Sequence, residues 1–451
     1  MNAVPTPPVS SVRFGGRRWA SLVAQWTLAG ALSVCSPIGS RSAPALAQAP
    51  FPAGRGAGPS NLTLLDPNAQ VYPSPEALPE HPEMPDPLID DRGRPVTTPL
   101  QWMRRRSEMR AILEHYSIGH MPPAPLPPTA EVMAARPVLG GHAEYRLVRL
   151  AFGPKRSLGM IVALYLPTEA PGPLPIFVYP TFTATPGSAR PEAADARYKD
   201  VDPEAFASDR ADVLRRGYGL LTYYYQEAAL DRSDNRSSGF FPAYPAYDWG
   251  TLAAWAWGIS RCVDYLSEQP FADARRIAVA GHSRVGKAVL IAAAFDDRIA
   301  LAIPAGSGCG GTGAFRVNGA ARQGKEGLEE ITRRFPYWFG PHLPEFSGHV
   351  QRLPFDQHWF VALAAPRPLL MAEAFDDASC NGNASVATFR AAQPSYGLAG
   401  GPTALGLHFR SGGHAFSNED WRAALDFADL HFRGESTQTN FQQTPEASLL
   451  K

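Results

Sequence analysis

From residue 145 onward, short apolar runs alternate with stretches of helical spacing, and this alternation limits the chain more than any other feature. Candidate strands lie at 145–150, 160–166, 176–179, 220–224, 277–280, 300–304, 369–372 and 406–409. Helical stretches fall between several of them, notably at 252–268, 286–294 and 420–432. A further helix is expected over 100–116, where Trp102, Met103, Met109, Ile112 and Leu113 recur at helical spacings. Apolar strands that alternate with helices predict a mostly parallel sheet covered on both faces, a doubly wound α/β domain. No linker interrupts the alternation, so one domain with insertions is expected over 100–433. Residues 50–99, rich in Pro, Gly and Asp and without either period, read as a segment wrapped around it. The polar stretch 434–451 reads as a disordered tail.

Composition narrows the functional classes. Forty-two basic residues balance 42 acidic ones, so no global field draws the chain to polyanions, and nucleic acid is not an expected partner. Hydrophobic residues make up 45%, with 23 Phe, 15 Tyr and 9 Trp, enough for a large core. The 45 prolines follow no strict repeat, which sets aside collagen and solenoid architectures.

The N-terminus reads as an address. Arg13, Arg17 and Arg18 precede an uncharged run over 19–34, and Ala45-Leu46-Ala47 and Ala47-Gln48-Ala49 both offer A-x-A cleavage sites. We expect a signal peptide over 1–47, with cleavage at 49 as the alternative, and export to the periplasm or medium. The run is shorter than the roughly 20 residues that span a bilayer, so no membrane span is expected. Cleavage removes Cys35 and leaves Cys262, Cys309 and Cys380. Cys309 and Cys380 would follow adjacent core strands and are the preferred disulfide pair, with Cys262 a small core residue. Their spacings fit no zinc site, and neither metal nor cofactor is expected.

The chemistry concentrates at the ends of three strands. The run 277–280 leads into Gly281-His282-Ser283-Arg284-Val285-Gly286-Lys287 and then a helix. Such a strand, sharp turn and helix hold a serine above the sheet with the helix N-terminus beside it, so Ser283 is the candidate nucleophile. A serine hydroxyl needs a base, and Ser411-Gly412-Gly413-His414-Ala415-Phe416 places His414 on the loop after the last strand. The orienting acid belongs after the penultimate strand, where Asp377 is the first choice and Asp376 the next. Residues 306–316, after the preceding strand, contain no carboxylate.

At these residues, from about Ile112 to Phe432, the chain resembles the glucuronoyl esterases of carbohydrate esterase family 15, especially bacterial members. Besides the elbow, the marks are Ala254-Trp255-Ala256-Trp257-Gly258, Ser307-Gly308-Cys309-Gly310-Gly311, Phe335-Pro336-Tyr337-Trp338-Phe339, Leu353-Pro354-Phe355-Asp356-Gln357-His358, Ala365-Pro366-Arg367-Pro368 and Gly413-His414. The resemblance implies an α/β-hydrolase fold, a three-layer sandwich. It implies cleavage of esters joining (4-O-methyl-)glucuronic acid of xylan to lignin alcohols, without a metal. It further implies that Arg284 stabilises the oxyanion, that Lys287 contacts uronate hydroxyls and that Glu326 is a pocket carboxylate. A monomer is expected.

Two positions depart from the family pattern. Fungal members carry a catalytic glutamate just before the Ser-Gly motif, where this chain has Gly306; Asp377 matches the bacterial alternative. The bacterial loop then continues to a tryptophan that covers the sugar, whereas this chain reads Ala378-Ser379-Cys380-Asn381, leaving Trp338 or Trp359 as substitutes. A secreted acetyl or feruloyl esterase acting on xylan would keep Ser283, His414 and Asp377 but would not need the cations Arg284 and Lys287. A non-catalytic carbohydrate-binding relative would not need the three hydrolytic residues at all.

Overall fold

A computed structural model describes residues 72–188, 201–318 and 326–450. Among these, nine strands form one sheet: β1 Thr129–Val138, β2 Ala143–Phe152, β3 Leu158–Pro167, β4 Leu174–Thr181, β5 Gly219–Tyr224, β6 Ala272–His282, β7 Leu301–Ala305, β8 Leu369–Ala374 and β9 Leu405–Arg410. Their order is β1-β2-β3-β5-β4-β6-β7-β8-β9. The β1, β2, β3 and β5 neighbours pair antiparallel, and every pairing from β5 through β4 to β9 is parallel. Parallel neighbours cannot be joined by a tight hairpin, and helices make the crossovers. Thr251–Ser267 lies between β5 and β6, Arg284–Phe295 between β6 and β7, and Gly382–Leu398 between β8 and β9.

The strand sequences feed two cores. Ile176, Val178, Leu221, Tyr223, Ile277 and Val279 pack with Trp255, Ile259, Val289 and Leu290 of the crossover helices. Their neighbours Phe177, Leu220, Ala278 and Ala280 pack instead with Trp421, Leu425 and Phe427 of the helix Asn418–Arg433. Side chains at period two that are buried on both faces make the sheet the middle of three layers, the α/β-hydrolase arrangement. The C-terminal ends of β6, β7, β8 and β9 open on one edge of the molecule, where parallel sheets carry their sites.

Several sequence expectations need correction. Strand β1 was not expected: nearly all its residues are exposed, so they lack the apolar signal, and pairing with β2 alone keeps them extended. The helix Gly382–Leu398 was hidden by an internal Pro394. The helix expected over 100–116 is regular only over Pro99–Leu113, started by a Thr98–Gln101 capping box, and continues as a wider turn over Glu114–Ile118. The stretch expected as a disordered tail is docked instead. Phe441 is buried against Phe427 with ring centroids 5.0 Å apart, and its carbonyl accepts a 2.8 Å hydrogen bond from the Leu407 N–H. Cys309 and Cys380 are buried thiols and not a disulfide, and the Cys380 thiol donates to the Gly306 carbonyl at 3.2 Å.

The expected leader lies outside the described residues. No helix among the described residues is long and apolar enough to cross a membrane. From Tyr72 to the first long helix, the chain is held by side chains of the domain: the Pro85 carbonyl accepts from Trp359 Nε1 at 2.8 Å, and the Glu76 carbonyl from Arg352 at 2.6 Å.

Candidate active site

Strand β6 ends at His282, and Ser283 follows with φ 59° and ψ −130°, a conformation that costs a non-glycine residue about 1–3 kcal/mol. Two glycines allow this turn. A Cβ on Gly281 would lie 2.9 Å from both Val285 and Val289 side chains, and one on Gly286 would lie 2.8 Å from the Ala305 carbonyl oxygen. The Ser283 N–H is taken by the Ala305 carbonyl at 2.9 Å, which locks the elbow to β7. The helix Arg284–Phe295 begins immediately after, and its first N–H groups have no intrahelical acceptor.

Three side chains from three strand ends meet here. His414 Nε2 lies 2.9 Å from Ser283 Oγ, and His414 Nδ1 lies 2.7 Å from Asp377 Oδ2. Asp377 Oδ1 accepts from the Ser379 and Cys380 N–H groups at 2.8 and 3.2 Å, so both carboxylate oxygens are directed. Burial alone would raise the Asp377 carboxyl, but His414, the Ser379 N–H and the Cys380 thiol hold it below the ordinary carboxylate range. Asp376, the second choice, turns to the Gly412 N–H at 3.2 Å instead. A proton on Ser283 Oγ therefore has an acceptor, and that acceptor has an anion behind it, which is the arrangement that makes a serine nucleophilic.

The loop that carries His414 is shaped by a residue that sequence reasoning missed. Arg410, buried at the end of β9, donates to the carbonyls of Ser411, Gly413 and Ala415 at 2.8, 3.2 and 2.5 Å, bracketing His414. Its Nε is paired at 2.5 Å with Asp420, whose other bonds cap the helix Asn418–Arg433.

His282, beside Ser283 in sequence, packs its ring on His414 with centroids 4.4 Å apart. It also fills the space next to Gly306, where φ is +47° and an added Cβ would lie 3.0 Å from His282 Nε2. Burial and the neighbouring His414 push His282 down to about 4, so this ring is neutral near neutrality.

The two cationic residues of the elbow both lie against the ring of Trp338. Arg284 Nη1 is bonded to Asp231, a residue missed from sequence because its charged partner lies 53 residues along the chain. Asp231 also accepts from Tyr225 OH at 3.1 Å, Tyr337 OH at 3.1 Å and Trp338 Nε1 at 2.8 Å. Burial pulls the Arg284 guanidinium down, and Asp231 more than restores it. Lys287 is buried, with two of its three donors on the Ser307 and Cys309 carbonyls at 2.5 and 2.7 Å. That loop is tied below to Glu373, which accepts from Thr312 at 2.7 Å and Ser385 at 3.0 Å; burial raises its carboxyl to about 7.

The remaining expected pocket residues do not take the places assigned to them. Trp338 is 3% exposed, stacked on Phe335 at 4.0 Å with Arg284 also against its ring, so it has no face left for a sugar. Trp359 is 2% exposed and packs under the N-terminal segment, with Arg105 over its ring. Glu326 pairs with Arg334 at 3.2 Å, and no contact among the described residues brings it to Ser283.

The geometry has a close counterpart among solved structures. A glucuronoyl esterase from Solibacter usitatus superposes with a TM-score of 0.70 and is 30% identical, covering 79% of this chain and 99% of its own. This chain belongs to the glucuronoyl esterases of carbohydrate esterase family 15. Residues 205–400 match the family model described as glucuronyl esterase, fungi. A carbohydrate esterase from an unidentified prokaryote is 29% identical over 82% of this chain and 96% of its own length. A 4-O-methyl-glucuronoyl methylesterase of Phanerochaete carnosa is 27% identical over 81% of this chain and 84% of its own. As a glucuronoyl esterase the protein is a carboxylic ester hydrolase, and the family's fold is the one expected from its motifs.

Proposed function

We propose that this glucuronoyl esterase cleaves esters of (4-O-methyl-)glucuronic acid in xylan with lignin alcohols, through a glucuronoyl-enzyme intermediate on Ser283. The observation that carries this reading is the chain of contacts from Asp377 through His414 to Ser283 Oγ, 2.7 and 2.9 Å long. His414 takes the proton of Ser283 as Oγ adds to the uronate carbonyl, and Asp377 stabilises the imidazolium. The oxyanion is met by the first N–H groups of the helix Arg284–Phe295 and by the Arg284 guanidinium, whose permanent charge suits that task. His414 then gives its proton to the leaving alcohol. Water repeats the sequence on the acyl-enzyme and releases the uronic acid. The third donor of Lys287 serves a ring hydroxyl. We further propose that residues 1–47 direct export, in keeping with a polymeric substrate, and that the enzyme acts as a monomer.

The test is hydrolysis of benzyl glucuronate beside p-nitrophenyl acetate and acetylated xylan, by the protein and its Ser283→Ala variant. Preference for the glucuronate, reduced about 10⁴-fold or more in the variant, is expected. Activity confined to acetyl esters would leave a serine hydrolase of another specificity, and a Ser283→Ala variant of full activity would remove Ser283 from the mechanism.

A further inference from the structure

Asp231 stands where four donors from three parts of the chain converge. Its side chain is only 6% exposed, and its two oxygens receive Arg284, Tyr225, Tyr337 and Trp338. Its own N–H is held by Gln226 Oε1 at 3.1 Å, and Gln226 also donates to Tyr225 OH at 3.2 Å. The carboxylate is thus fixed before Arg284 reaches it. Of the Arg284 donors only Nη1 is bonded within the described residues, and Nε is buried without a partner. A buried guanidinium N–H left unpaired is costly unless a ligand satisfies it.

The reaction changes the charge of what it binds. An uncharged ester and water enter, and an alcohol, a carboxylate and a proton leave, since a uronic acid is ionised near neutral pH. A guanidinium placed to meet a developing oxyanion also matches the carboxylate product, through charge-assisted hydrogen bonds about twice as strong as neutral ones. Without a counter-charge, such a site would hold its product. The other cation beside Trp338, Lys287, has two of its three donors on backbone carbonyls.

We propose that Asp231 is a positioning residue that fixes Arg284 toward the scissile carbonyl and offsets its charge, so that the enzyme releases the carboxylate it makes. The inference rests on the role proposed above for Arg284. It separates two functions of one ion pair: geometry, which acts on kcat, and charge, which acts on product affinity.

The experiment compares inhibition by glucuronate with inhibition by uncharged glucuronamide, alongside turnover of methyl glucuronate. In Asp231→Asn, which keeps an acceptor oxygen, kcat should fall about 10- to 100-fold. The preference for glucuronate over glucuronamide should rise about tenfold, and this gain should fade at high salt. Asp231→Glu should lower kcat while leaving the preference as in the wild type, which a purely structural role for Asp231 does not predict. An unchanged preference in Asp231→Asn, or equal weakening of both inhibitors, overturns the proposal. If Asp231→Asn does not fold, a raised preference in Asp231→Glu, or a wild-type preference that collapses between low and high salt, overturns it equally. Arg284→Gln tests the underlying reading separately: full turnover and unaltered glucuronate affinity there would remove Arg284 from the site, whatever Asp231 does.

Discussion

Ser283, His282 and Gly306 show how closely single residues constrain one another here. His282 occupies the volume that a side chain at 306 would need, and Gly306 carries a positive φ that disfavours one. The carboxylate that meets His414 is that of Asp377, one strand further along the sheet, and an acid at 306 would require a change at 282 as well. The neutral state of His282 also has a stability consequence. Both His282 and His431 are pushed by burial down to about 4, whereas an unfolded histidine titrates near 6.5. Between those values the unfolded chain binds protons that the folded one does not, so stability is present above about 6.5 and is lost as pH falls toward 4. Thermal melting across that window should show Tm falling with pH, and His431→Gln, away from the catalytic groups, should flatten the slope. Each histidine contributes on the order of 3 kcal/mol over the full window. Ser283 and His414 were legible in the sequence because glycines and a strand-to-helix change mark them locally. Asp231 and Arg410 were not, because an aspartate 53 residues from its arginine carries no local pattern.

At the scale of elements, the parallel strands β4 to β9 were legible because each has a stretch buried on both faces, such as 176–178, 277–280 and 369–372, that is apolar. β1 was illegible for the converse reason, being an edge strand whose side chains face water. Its exposed Val132 and Met133 lie at a register shift, which, with Glu131 and Arg136 beside them, discourages pairing with another chain. The turn from β9 into the helix Asn418–Arg433 depends on one cation shared between a loop and a cap. Arg410→Met should leave Asp420 buried without its partner, costing about 3–5 kcal/mol. It should also release the carbonyls flanking His414, so kcat should fall further than the loss of folded protein explains. Chemical denaturation beside active-site titration separates the two effects, and a variant with normal kcat per folded molecule would show that the loop holds its shape without Arg410.

For the molecule as a whole, the two borders of the sheet are treated differently. β1 ends one side with polar, irregular chain, whereas β9 is covered by the C-terminal stretch. Besides Phe441, Gln442 donates to the Leu405 and Thr403 carbonyls at 2.7 and 3.2 Å, and Leu450 is buried in the core on the other face. Composition concealed this, since Thr, Gln and Ser surround the few apolar anchors that decide the matter. Ending the chain at Gly434 should lower Tm and promote self-association by exposing a β9 backbone edge. Light scattering and thermal melting would show both, and an unaltered, monodisperse truncated protein would mean that the cover is dispensable.

The same stretch has a consequence in time. Ser283 leaves the ribosome 131 residues before His414, an interval of roughly 10 s at ordinary elongation rates. The border strand β9, which leads to His414, is covered only once the stretch through Leu450 has followed it. A chain stalled between Ser283 and His414 presents the elbow without His414, and the cover of β9 comes later still.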